Sequence, residues 1–166
     1  MISGGCAAIS TRSLAGGAQA ASTDEGLKGT ISTGPSRFLQ SEPVDVPFLL
    51  HLEYQRPPYD LTLRVEDAQR QFEAFEVREV RIRYETQPER TITPRQTVER
   101  FEEGHDGQEV FVHILDALPR HAPVDVTITA EAIRPDGTRV PLEFQERFSP
   151  NSLDWIGDWF SWATSA

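Results

Sequence analysis

The side chains in this chain of 166 residues that could do chemistry are four histidines, one cysteine, a surplus of carboxylates and three tryptophans. His51, His105, His113 and His121 stand at no metal-ligand spacing, neither i, i+2 on a strand nor i, i+4 on a helix, so no two imidazoles are brought to one ion. His113 has the opposite parity to Val112 and Ile114 and reads as a half-buried histidine satisfied by a hydrogen bond. His105 and Asp106, in Glu103-Gly104-His105-Asp106-Gly107, could hold a cation or take a proton, although Gly and Asp together usually make a solvated turn. Glu85, Glu89, Glu102 and Glu103 lie among arginines, the pattern of exposed ion pairs. Arg81 and Arg83 share one face of an extended segment, where they bind an anionic partner or meet cross-strand glutamates. No Gly-x-Ser-x-Gly elbow and no Gly-rich phosphate loop is found, and Cys6 has no neighbouring histidine to activate it. The chain reads as non-enzymatic, with no cofactor and no metal. The alternative is an enzyme with a site around the histidines.

Trp155, Trp159 and Trp162 fall within eight residues of the C-terminal segment. At 100° per residue, Leu153, Trp155, Ile156, Trp159, Phe160 and Trp162 share one arc, with Asp154, Gly157, Asp158 and Ser161 behind it. This predicts an amphipathic helix within residues 149–166, capped by Asn151 or Ser152 after Pro150. Its apolar arc amounts to something on the order of 800 to 1,000 Å². A helix that short is marginal alone and needs a surface to form on. The candidates are the protein's own sheets, a partner protein or second copy, and a membrane interface. The acidic back of the helix disfavours an anionic leaflet.

Residues 1–43 are mostly Gly, Ala, Ser and Thr without periodicity, which predicts a flexible tether. Cys6 is the only cysteine, so the chain forms no intramolecular disulfide. Ile2-Ser3-Gly4-Gly5-Cys6, followed by small residues, resembles the lipobox and tether of bacterial lipoproteins. Ile2 stands one position further upstream than the aliphatic residue of that motif, and only Met1 and Ile2 precede the small residues. The resemblance implies acylation of Cys6, membrane attachment and a cell-envelope or periplasmic location; the alternative is a cytoplasmic protein with an incidental cysteine. Ala18-Gln19-Ala20 looks like a signal-peptidase site, but Arg12 interrupts the apolar run before it. No stretch approaches the roughly 18 to 20 apolar residues of a spanning helix.

The net charge of -10, from 26 acidic and 16 basic residues, argues against nucleic acid as a partner. A protein partner or self-association is expected instead.

From residue 44 the pattern changes to a period of two. Val46, Phe48, Leu50, Leu52 and Tyr54 predict one strand, and Leu61, Leu63 and Val65 a second beyond the Pro57-Pro58 turn. Val65, Ala68, Phe72 and Phe75 allow a short helical turn. Phe75 and Val77 have one parity and Val80, Ile82 and Tyr84 the other, which predicts a β-bulge near Arg78 or Glu79. Around Val110, Val112 and Ile114 both faces are apolar, which predicts a central strand. Residues 124–148 form the clearest hairpin, with Pro135-Asp136-Gly137 at its turn. About seven strands within residues 44–148 fit an all-β fold best, an antiparallel β-sandwich. It resembles the immunoglobulin-like and fibronectin-like domains at fold level, without their paired cysteines or inner tryptophan. The domain organisation is therefore a disordered N-terminal tail, a sandwich and a C-terminal amphipathic α-helix.

Overall fold

The computed structural model describes residues 8–16, 21–22, 26–35, 44–46, 50–52, 57–94 and 98–156, and among them there is no helix. The strands in chain order are β1 (Ala8–Gly16), β2 (Ala21–Ser22), β3 (Leu27–Pro35), β4 (Val44–Val46), β5 (Leu50–Leu52), β6 (Tyr59–Asp67) and β7 (Ala74–Tyr84). There follow β8 (Arg90–Ile92), β9 (Val98–Arg100), β10 (Glu102–Gly104), β11 (Gly107–Leu118), β12 (Val124–Ile133) and β13 (Arg139–Ile156). One antiparallel sheet has the order β1-β13-β12-β7-β8, with β9 also on β7. The second has the order β10-β11-β6-β3-β2, and β4 and β5 form a separate hairpin. Both sheets feed one apolar cluster in a β-sandwich-like arrangement.

The alternation read from the sequence builds the core. Tyr59, Leu61, Leu63 and Val65 of β6 are fully buried, while Arg64 between them is exposed. On β12, Val124, Val126, Ile128, Ala130 and Ala132 are all buried, opposite Phe148, Phe144 and Leu142 of β13. The predicted bulge is present. Glu79 pairs with Thr129 and Val77 with Ala130, leaving Arg78 as the extra residue, so Phe75 and Val77 share the core with Val80 and Ile82. The β12–β13 turn is closed by Gly137 N donating to Arg134 O at 2.9 Å and Thr138 N to Asp136 Oδ1 at 2.8 Å. Gly137, at φ 85°, takes the left-handed position this turn requires.

The N-terminal segment departs from the predicted tether. Leu27 and Ile31 of β3 are buried and β3 pairs with β6 along its length, so residues 27–35 complete the second sheet. Their sequence conceals this because the residue between them in the inward row is Gly29. A Cβ at Gly29 would overlap the ring of Phe144, which lies across from it in the other sheet. The glycine admits an aromatic ring, and the apolar contribution to that row comes from the opposite strand.

The C-terminal expectation also changes. Residues 149–156 continue β13 as extended chain, with Leu153 paired to Thr11, Trp155 to Ile9 and Ile156 to Ala8 of β1. They are not the first turns of a helix, and the physical reason is the partner: a short helix there is marginal, whereas β1 satisfies the backbone along a whole edge. Residues 157–166 lie outside the described residues. Two smaller corrections follow the same logic. Val44–Val46 and Leu50–Leu52 pair with each other, so the single strand expected there doubles back as a hairpin. Between β6 and β7 a turn replaces the helical one, because Asp67 Oδ1 and Oδ2 accept from the backbone N–H groups of Gln69 and Phe72 at 3.1 and 3.0 Å.

Gly29→Ala should lower stability by about 1–3 kcal/mol, the usual cost of overpacking a filled core. Urea denaturation measures it, and an unchanged midpoint would mean that the Phe144 ring does not sit on this backbone.

Candidate functional site

β11 is where the outer surface departs from the charged pattern seen elsewhere. Its inward row of Val110, Val112 and Ile114 is buried, and its outward row is Glu109, Phe111, His113 and Leu115. Phe111 and Leu115 are each 46% exposed, and with Val98 at 51% they are the large exposed hydrophobics among the described residues. Val98 belongs to β9, which lies next to β11. Two of the three thus stand on the outer face of β11 and the third on a strand beside it.

Among the described residues the margin along β11 is open. On one side β11 pairs with β6 from Gln108 to Ile114; on the other, β10 pairs with it only from Gly107 to Glu109. Among the described residues, Phe111 to Leu115 has no strand on the β10 side. The sequence predicted a central strand here because both faces are apolar. The structure makes it an edge, and the second apolar face is exposed.

Local chemistry fixes this strand at both ends. At its start, Gly107 at φ 143° passes so close to Ala68 and the Asp67 carbonyl that a Cβ would fall 2.7 Å from each. The buried Asp67 also accepts from Gln108 Nε2 at 3.0 Å. At its end, Ile114 pairs with Leu61 and Leu118 with Tyr59, so four steps along β11 match two along β6. Asp116 at φ 51° lies in this bulge, its N–H donating to the buried Asp60 Oδ1 at 2.7 Å. On the outer face, Arg64 lies 5.7 Å from the Phe111 ring centroid while its guanidinium pairs with Glu66 and Glu109. His113 Nδ1 is 3.1 Å from Thr62 Oγ1. The strand presents an apolar stripe between neutralised charges.

The first sheet's outer face shows what ordinary solvated surface looks like in this protein. Arg81 reaches Glu143 at 3.0 Å and Arg83 reaches Asp125 at 3.3 Å, so the arginine row meets cross-strand carboxylates. At the bulge, Arg78 and Arg139 bridge the buried Glu76 to Glu131 at 2.6 to 2.8 Å. Hydrogen bonds from Arg78 and then Arg139 hold the Glu131 carboxyl below its ordinary range.

The histidines are not brought together. His113 is on the outer face, His105 is in the β10–β11 turn, and His121 Nδ1 is 2.8 Å from the Tyr59 hydroxyl. His51 falls in β5. Among the described residues no three His, Cys, Asp or Glu side chains are grouped to hold a metal ion. Of the sequence-predicted site residues, Cys6, Trp159, Phe160 and Trp162 lie outside the described residues. Leu153, Trp155 and Ile156 are placed by backbone alone, in β13. The β11 edge was missed as a site because periodicity reports which faces are apolar and not which strand has a neighbour.

Glu131 yields a pH dependence. Its folded-state pKa is the lowered one, so the stabilisation is complete above the ordinary Glu value of about 4.3 and disappears as pH falls through the folded value. Denaturation of wild type and Glu131→Gln should therefore differ by a constant amount above about pH 5 and converge as pH falls below the ordinary Glu range. A gap independent of pH would show that Arg78 and Arg139 do not act through this carboxylate. No protein-family model, no curated protein and no solved structure matches the chain.

Proposed function

We propose that this protein is a non-enzymatic binding module, immunoglobulin-like in general architecture, that takes an extended segment of a partner protein onto the free edge of β11. The observation that carries this reading is the coincidence of exposed Phe111, Leu115 and Val98 with an unpaired strand edge. Edge strands are templates for another strand, and soluble proteins usually blunt them with charge, proline or a covering element. An added strand would gain backbone hydrogen bonds, and Phe111 and Leu115 would offer alternate side-chain contacts. With a net charge of -10 on the chain, a neutral or basic segment is the suitable guest.

Envelope attachment belongs to the same proposal. Acylation at Cys6 would put the lipid two residues before β1, which begins at Ala8. The sandwich would then lie against the membrane surface, without a long tether. The rival reading is an assembly subunit whose Trp159, Phe160 and Trp162 dock on a neighbour or on a second copy.

Photo-crosslinkers placed in turn at positions 111 and 160 of the full chain distinguish the two. Adducts with another protein from position 111, abolished by Leu115→Lys, support edge binding. Adducts only from position 160 would transfer the function to the tail. Intact mass of the natively produced protein tests the anchor, since an N-terminus upstream of Cys6 without acyl chains contradicts it.

A further inference from the structure

The turn leaving β7 and the loop entering β12 meet over a pocket of about 130 Å³, walled by Tyr84, Thr86, Gln87, Arg120, Ala122 and Pro123. Gln87 N donates to the Tyr84 carbonyl at 3.4 Å, which closes the turn that brings Gln87 to the pocket wall. This is well below the roughly 300–1,000 Å³ of a drug-sized site. It has room for a few heavy atoms.

Over much of the described surface arginines meet carboxylates, as at Arg64, Arg81 and Arg147. Arg120 meets none among the described residues. Its partner is the Gln87 amide, whose oxygen, turned toward the guanidinium, accepts from Nη2 at 2.8 Å and Nε at 3.3 Å, and from Nη1 as well. Glu85, the carboxylate on the rim, is held by Arg147 at 2.8 Å. Tyr84 is only 6% exposed; the Arg120 backbone N–H is directed at its covered hydroxyl oxygen, and the hydroxyl proton has no acceptor among the described residues. Burial raises the Tyr84 pKa, so the group keeps its proton and remains a donor, and Arg90 adds positive charge nearby.

We infer that this pocket binds a small carboxylate anchored by the Arg120 guanidinium. A primary amide and a carboxylate are both planar and nearly equal in size, so the Gln87 amide occupies the position a carboxylate would take. The carboxylate is the better partner, because a guanidinium fork binds it through two charge-assisted hydrogen bonds, each about twice as strong as a neutral one. Gln87 belongs to an exposed turn and yields without disturbing a strand. Once it leaves, the Tyr84 hydroxyl gains the acceptor it lacks, and Ala122 and Pro123 line the side suited to a short alkyl chain. The inference is independent of the β11 edge.

Propionate titration of the full chain, followed by amide and arginine Nε–H NMR at fixed ionic strength, tests it. Saturable shifts at Thr86, Gln87, Arg120 and Ala122 are expected, with millimolar affinity and no counterpart with chloride. Arg120→Gln should remove them, and Tyr84→Phe should weaken binding about tenfold. Gln87→Ala should tighten binding several-fold, because it removes the internal competitor and leaves the core intact. An acetylated dipeptide compared with propionate separates a peptide C-terminus from a free acid as the source of the carboxylate. Shifts that grow linearly, that survive Arg120→Gln, or that appear equally with phosphate would overturn the inference.

Discussion

Phe144 lies on the backbone of Gly29, and this contact between the two sheets is the constraint on which the rest depends. Large side chains alternate along β12, β13 and β6, and their rings and branches fill the interior only if the facing strand approaches closely at one point. A glycine in β3 provides that approach. Within the first sheet Gly16 of β1, paired with Phe148, makes similar room, since a Cβ there would lie 2.7 Å from the Phe148 ring. The margin is then tied across the sheets by Thr33 Oγ1 donating to the Leu14 carbonyl at 2.7 Å. Small residues near the N-terminus are therefore structural, because they receive the aromatics of β13.

The opposite margin is built differently. There the chain crosses from one sheet to the other through β9 and β10, and the crossing covers only the first residues of β11. Two buried aspartates hold the ends of the exposed stretch, Asp67 through the turn before β7 and Asp60 through the bulge at Asp116. Each accepts from backbone N–H groups that the irregular chain would otherwise leave unsatisfied. Backbone groups and apolar side chains are thus presented together along this edge.

Charge follows the same division. The first sheet's outer face is laced with paired arginines and carboxylates, exposed pairs worth little each to stability. The apolar stripe on β11 and the Arg120 pocket depart from that pattern: the first lacks charge, and in the second no carboxylate among the described residues meets the guanidinium.

Period-two alternation determined β6, β7 with its bulge at Arg78, and the β12–β13 hairpin, because each of these strands carries its own large apolar row and its own turn residues. It could not determine β1 or β3. Their inward positions include Gly16 and Gly29, so the evidence for burial sits on Phe148 and Phe144 more than a hundred residues away. The extended course of 149–156 was hidden for a related reason: Leu153 and Trp155 share one face in either a helical or an extended reading, and only the presence of β1 decides between them. Likewise, apolar residues on both faces of β11 were legible, but their exposure was not. A sequence records which side chains avoid water; the arrangement of strands in space decides which of them are given the means to do so.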